Sequence, residues 1–259
     1  MTTIDISLPH LQQFFLIFLR VSVIMISMPL FSSKSIPVIF KAGLSLSISI
    51  ILFPILNLHN NPFHLDVVSF GIGVAGEIVL GLIIGLSVRL VFAGIQLAGQ
   101  IIGFQMGLAI ANILDPMTSE QNSIIAQFYN IIAMLVFLAI NAHYWFIKAT
   151  VESFRLIPPF DFQFSGSLME HLITLAGNMF IIAVKIGAPV IVAMLLTSVA
   201  FGLVARTVPQ MNVFIVAMPV KIIVGLIFLA ITIPYLSSFL SQIFKSLGND
   251  IFLILKIVS

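Results

Sequence analysis

The sequence predicts an all-α integral membrane fold built from broken helices, and three observations predict it. Of 259 residues, 60% are hydrophobic and only 8% charged, with a mean hydropathy of +1.22. A soluble domain of this size needs far more charge to cover its outside. The apolar residues fall in runs of about 20, the length that crosses a bilayer as a helix. Helix is required there because backbone groups in hydrocarbon must find partners within their own segment. The stretches between runs are short and rich in Pro, Asn, Asp and Ser, which is turn chemistry. None is polar enough to form a separate soluble unit, so one membrane-embedded domain is expected over residues 1–259.

In chain order the candidate spans are Leu11–Leu30, Ile36–Leu56, Val67–Val88, Leu90–Leu114, Ile124–Ala142, Ile173–Val204 and Val213–Leu236. Connections are expected at Ser32–Ser35, Asn57–Asp66, Asp115–Asn122, Pro158–Ser167 and Arg206–Asn212. As one helix, Ile173–Val204 would run about 48 Å. Gly187 and Pro189 therefore predict a kink or break near its middle, and Pro219 and Pro234 predict the same in the next run. From Leu240 the pattern changes: Leu240, Ile243, Phe244, Leu247, Ile251, Leu255 and Val258 recur at helical spacing, with Lys245, Asn249, Asp250 and Lys256 mostly off that stripe. This predicts an amphipathic helix over 240–258, lying on the membrane surface or docked on a partner. Lys34 and Lys41 flank the first connection whereas Asn57–Asp66 has no Lys or Arg, so the positive-inside rule places the first connection in the cytoplasm.

Several function classes are disfavoured. Eleven basic and nine acidic residues give a formal charge of +2 with no Lys/Arg block, so nothing provides a nucleic-acid footprint. The absence of cysteine excludes disulfides, thiolate metal sites and Cys nucleophiles. His10, His59, His64, His143 and His171 form no pair at ligand spacing, so no metal is expected. No phosphate loop, nucleophile elbow or paired-carboxylate pattern appears, and neither an enzyme nor a cofactor is expected. Met1–Pro9 carries Asp5 and no cation, and no small-residue cleavage pattern follows, so the first apolar run reads as a retained span.

Three groups of residues stand out. Arg20, Glu77, Arg89, Lys185 and Lys221 lie in or beside apolar runs, where a charge needs a partner or a wet cavity. They read as interhelical pairs or snorkelling groups, with an ion path as the alternative; Glu77 is the only clear carboxylate at depth, which argues against proton coupling. Gly99, Gly103 and Gly107 repeat every four residues, with Gln96 and Gln100 expected on the same face, and Gly81 and Gly85 form a second pair. Such small-residue faces let helices approach closely, with pore lining as the alternative. The segment MGLAIANILDPMTSEQNSII from Met106 offers Met106, Leu108, Ile110, Ile113, Leu114, Asp115, Pro116 and Met117 either as an adaptable apolar seal or as an ordinary turn. Lys148 and Glu152, at i and i+4 after Trp145, predict an interfacial helix with a local ion pair.

Three stretches resemble the FliR family of the type III secretion export apparatus: AGQIIGFQMGLAIANILDP from Ala98, NAHYWFIKATVESFRLIP from Asn141, and GLVARTVPQMNVFIVAMPVK from Gly202. Its most specific part is Arg206, Pro209, Gln210 and Asn212 followed by Pro219. The resemblance implies a subunit that assembles with FliP-like and FliQ-like chains into a helical export gate for unfolded flagellar proteins. FlhB-like and FlhA-like components would associate with it, in the bacterial inner membrane at the flagellar basal body. It also implies tilted hairpins partly above the lipid plane, and a plug that includes Met106–Asn122. The alternatives are the equivalent subunit of a virulence injectisome, a pure scaffold, and a small-molecule transporter with a mid-membrane site around Glu77, Arg89 or Lys185.

Overall fold

The computed structural model describes residues 8–32, 36–56, 67–108, 123–210 and 212–258. All regular structure among them is α-helical: α1 Leu8–Ser27, α2 Pro29–Ser32, α3 Val38–Ile55, α4 Val67–Gln105, α5 Ile124–Ala139, α6 Ala142–Leu156, α7 Gly166–Thr207 and α8 Val213–Val258. Five of these are long and apolar enough to cross a membrane, and the α5–α6 pair, bent by 66°, makes a sixth if it is one broken span.

Local chemistry sets many of the ends. Pro37 precedes α3, and α6 stops at Leu156 because Ile157 stands before Pro158 and is held extended at ψ 86°. Ser165 caps α7 by accepting a hydrogen bond from the Leu168 amide at 3.2 Å. Val208, the residue before Pro209, closes the other end of that helix. Between α5 and α6, Asn141 takes the left-handed conformation at φ 55°, which asparagine tolerates better than most residues. Within the helices, Ser45, Ser49, Ser87 and Thr150 return their hydroxyls to the carbonyl four residues back, which satisfies them without water.

Several sequence expectations are corrected. The predicted spans Val67–Val88 and Leu90–Leu114 are one helix of 39 residues that ends at Gln105. Arg89 lowers the local hydropathy, yet no Pro or Asn near it stops a helix. Of the kink or break expected at Gly187 and Pro189, the break is absent, since α7 runs as one helix through Pro189 for 42 residues. Likewise α8 runs through Pro219 and Pro234 into the C-terminal stripe, so the amphipathic segment 240–258 is the end of a 46-residue helix. One proline removes one backbone bond, and packing around a long helix holds the rest.

The chain divides into two compact units, each assembled from separate segments: Met1–Leu90, Asn141–Leu175 and Phe244–Ser259 in the first, Val91–Ile140 and Ala176–Ile243 in the second. In the first unit α1 packs on α3, with Phe14 edge-on to Phe53 at 5.9 Å, and on the first half of α4. The end of α8 also docks here. Phe244, Leu247, Ile251 and Leu255 are buried, and Gly248 lies under the Trp145 ring of α6. The predicted apolar stripe is therefore taken up inside the chain, rather than by a membrane surface or a partner. Lys148 stands 5.6 Å over the Phe252 ring, and Glu152 lies 3.7 Å from Arg155, so the expected Lys148–Glu152 pair is replaced by an i, i+3 pair. In the second unit the other half of α4 meets α5 through Phe92 and Phe137, 5.9 Å apart, and meets α7 where Gly94 lies against the Met179 carbonyl.

Candidate functional site

Arg20 and Glu77, singled out separately in the sequence, are one cluster. Both are buried, at 1% and 2% exposure. The guanidinium forks onto the carboxylate, Nε donating to Oε2 and Nη2 to Oε1, the latter at 2.8 Å. Nη1 and Nη2 each donate to the Ile157 carbonyl at 3.0 Å, and Nη1 reaches the Ser153 hydroxyl at 3.3 Å. The Phe154 ring stacks 4.1 Å from the guanidinium carbon. α1, α4 and the carboxyl end of α6 are thereby tied at one point. Ser153, Phe154 and Ile157 were not singled out in the sequence, because a carbonyl freed by a helix end carries no residue signature. Both Glu77 oxygens are engaged by Arg20, so among the described residues that carboxylate serves an ion pair.

The other singled-out cations face outward. Arg89, at the surface, donates to the Ser27 carbonyl at 3.2 Å and the Ile26 carbonyl at 3.4 Å, capping the carboxyl end of α1. Lys185 is exposed midway along α7, and Lys221 is half-buried on α8. The turn carrying Arg206, Pro209, Gln210 and Asn212 is exposed, as is Pro219 on α8.

The small residues divide by task. Gly81 lies against Val23, and Gly85 against Ser27, where an added methyl group would collide. Gly99 lies against the Ala126 backbone and Gly103 against Ser123, whose hydroxyl donates to the Gly99 carbonyl at 3.4 Å. These contacts bring α1 and α5 onto α4. Gln96 and Gln100 are not in that contact; they stand exposed with Phe104 beyond them.

Gly107 serves neither contact. At φ +83° it ends α4, its amide bonding the Phe104 carbonyl and the Leu108 amide bonding the Gly103 carbonyl, both at 3.1 Å. That pair of bonds is the Schellman cap, which favours glycine. Gly107→Ala is expected to destabilise the chain by about 1 kcal/mol. Gly107→Asn should lose less, both read as thermal melts of the purified protein.

Gly107 also sets where the sealing candidate leaves the helix. Met106 is fully buried, its Sδ 2.7 Å from where a methyl group on Gly225 of α8 would sit. Leu108 is half-buried. Ile110, Ile113, Leu114, Asp115, Pro116 and Met117 lie outside the described residues. Among the described residues no group of three His, Asp or Glu side chains stands ready for a metal.

Known proteins share this chain's sequence over nearly its full length. The sequence profile of the bacterial export proteins, family 1, matches residues 11–247. The flagellar biosynthetic protein FliR of Bacillus subtilis is 34% identical over 236 residues, covering 90% of either chain. Its counterpart in Pectobacterium carotovorum is 31% identical over 240 residues, 90% of this chain and 89% of its own. That of Escherichia coli is 28% identical over 243 residues, 93% and 92% of the two chains.

Proposed function

Since the chain belongs to the bacterial export proteins, family 1, and is a membrane component of the flagellar export apparatus, we propose that it is a non-enzymatic core subunit of the export gate. It assembles with FliP-like and FliQ-like chains, and associates with FlhB-like and FlhA-like components, to form a conduit for unfolded flagellar proteins. It sits in the bacterial inner membrane at the flagellar basal body, and Met106–Asn122 is its plug.

One observation carries the assembly. The helices α4, α7 and α8 have 39, 42 and 46 residues. At 1.5 Å per residue they run about 58, 63 and 69 Å, twice the ~30 Å of bilayer hydrocarbon. A tilt of about 40°, the upper end for membrane helices, still leaves about 45–53 Å. Large apolar residues stand outward over much of that length, from Ile173 through Ile181 and Leu195 to Leu203 on α7 and at Ile215, Ile223 and Ile231 on α8, with Lys185 on α7 and Gln96 and Gln100 on α4 as polar exceptions. Lipid covers only part of such a surface, so sister subunits must cover the rest. Packing helices of this kind needs no catalytic group, and neither does a conduit for unfolded chains.

The plug is tested by pinning it. The chain has no cysteine, so an introduced pair, Leu108→Cys with Met117→Cys, forms the sole possible intrachain disulfide. Oxidation is expected to arrest export and reduction to restore it, while deletion of residues 109–122 should raise ion leakage across the membrane. Export and tightness unchanged in both variants would sink the plug. A purified chain that never brings down another membrane subunit would sink the assembly.

A further inference from the structure

An apolar groove on α4 ends at Arg89, and we propose that it holds an acyl chain of an anionic phospholipid whose phosphate meets the Arg89 guanidinium. The groove encloses about 210 Å³ and is lined by Val79, Leu82, Ile83, Leu86, Ser27 and Arg89. Its four apolar residues stand at i, i+3, i+4 and i+7, a strip about 10 Å long parallel to the helix axis. Leu82 and Leu86 are 49% and 41% exposed, so the outer edge of the strip is open, while Ile83 forms its buried floor.

Depth favours a lipid. From Val67 to Arg89 is 23 residues of α4, about 34 Å, and the 20 residues of α1 span about 30 Å to end at Ser27 beside Arg89. Both lengths match the hydrocarbon core. Arg89 therefore stands at headgroup level, with the groove beneath it among the tails. Charge favours an anionic one. Two guanidinium nitrogens bond the end of α1, whereas Nη1 bonds no described residue and keeps its donors. Lys41, in the first turn of α3, adds a second cation toward the same side, the side the positive-inside rule assigns to the cytoplasm. A cationic rim over an apolar slot is what recognises an anionic headgroup with its tail. The inference rests on the membrane reading and not on the plug or the partners.

The test is native mass spectrometry of the full chain in detergent, offered phosphatidylglycerol or phosphatidylcholine. Phosphatidylglycerol should remain bound at one per chain and phosphatidylcholine should be lost. Arg89→Gln should weaken binding about fivefold, the factor for roughly 1 kcal/mol per cation at an anionic surface; Arg89→Lys should keep most of it. Leu82→Trp, which fills the slot and leaves the α1 cap intact, should abolish it. Inorganic phosphate should not displace the lipid. Equal retention of both lipids, binding unchanged in Arg89→Gln and Leu82→Trp, or displacement by phosphate overturns the proposal. So does a photocrosslinker at Leu82 that captures protein instead of lipid in the assembled complex. Co-purification of partner subunits with Leu82→Trp separates loss of the lipid from loss of assembly.

Discussion

Arg20→Met is expected to destabilise the chain by about 3–5 kcal/mol, the usual result of removing one member of a buried ion pair. For a chain of this size that lowers the melting temperature by on the order of 10 °C. The magnitude follows from what is left behind. Glu77 at 2% exposure would be left buried without its guanidinium, and the Ile157 carbonyl would lose both donors. Glu77→Leu should be destabilising too, though less, because the guanidinium keeps the Ile157 carbonyl, the Ser153 hydroxyl and the Phe154 face. The double variant, Arg20→Met with Glu77→Leu, should recover much of the loss, since two apolar side chains of similar volume replace a pair whose mutual attraction largely offsets its desolvation. Melts of the four purified proteins in one detergent read all of this. A double variant as unstable as the sum of the singles would show that the charges hold the helices through other contacts, not through each other.

The cluster also shows what the sequence could disclose. Hydropathy made Arg20 and Glu77 conspicuous, because charges are rare in apolar runs, but they lie 57 residues apart and no spacing rule joins them. The same limit applied to the glycines. Periodicity marked Gly99, Gly103 and Gly107 as equals, whereas backbone geometry gives the first two a neighbouring helix and the third a left-handed cap. The all-α membrane fold was legible because apolar composition and run length leave few other solutions. Where turn chemistry was local, as at Pro158, Ser165 and Pro209, the helix ends fell near the expected connections. Pro189, Pro219 and Pro234 were read as kinks or breaks, and none of them ends its helix, because a long helix supported by its neighbours absorbs each missing bond. The exposed faces carry the remaining ambiguity, since an apolar residue facing lipid and one facing a sister subunit have the same composition.

Lys185 puts that ambiguity to a test at one position. It was expected to be buried, but it is exposed midway along α7, on the same side as Ile181, Val184 and Val192, which are 50%, 59% and 53% exposed. No described residue bonds it. An ammonium group in such a face carries an unfavourable free energy of about 2.5–3.5 kcal/mol when it meets hydrocarbon. A carboxylate on a subunit covering α7 would remove most of that penalty. Lys185→Glu is therefore expected to abolish co-purification of the partner subunits by placing like charges together. Lys185→Leu should weaken it by about 30- to 5,000-fold, because truncating one side of a buried interfacial pair costs about 2–5 kcal/mol. Thermal melts of both variants should match the parent, since Lys185 supports nothing within its own chain. Exchanging the partner's carboxylate for lysine should restore assembly with Lys185→Glu and with no other variant. If Lys185→Leu still brings down the full complex while export or ion selectivity changes, the side chain faces the conduit and the pairing is wrong.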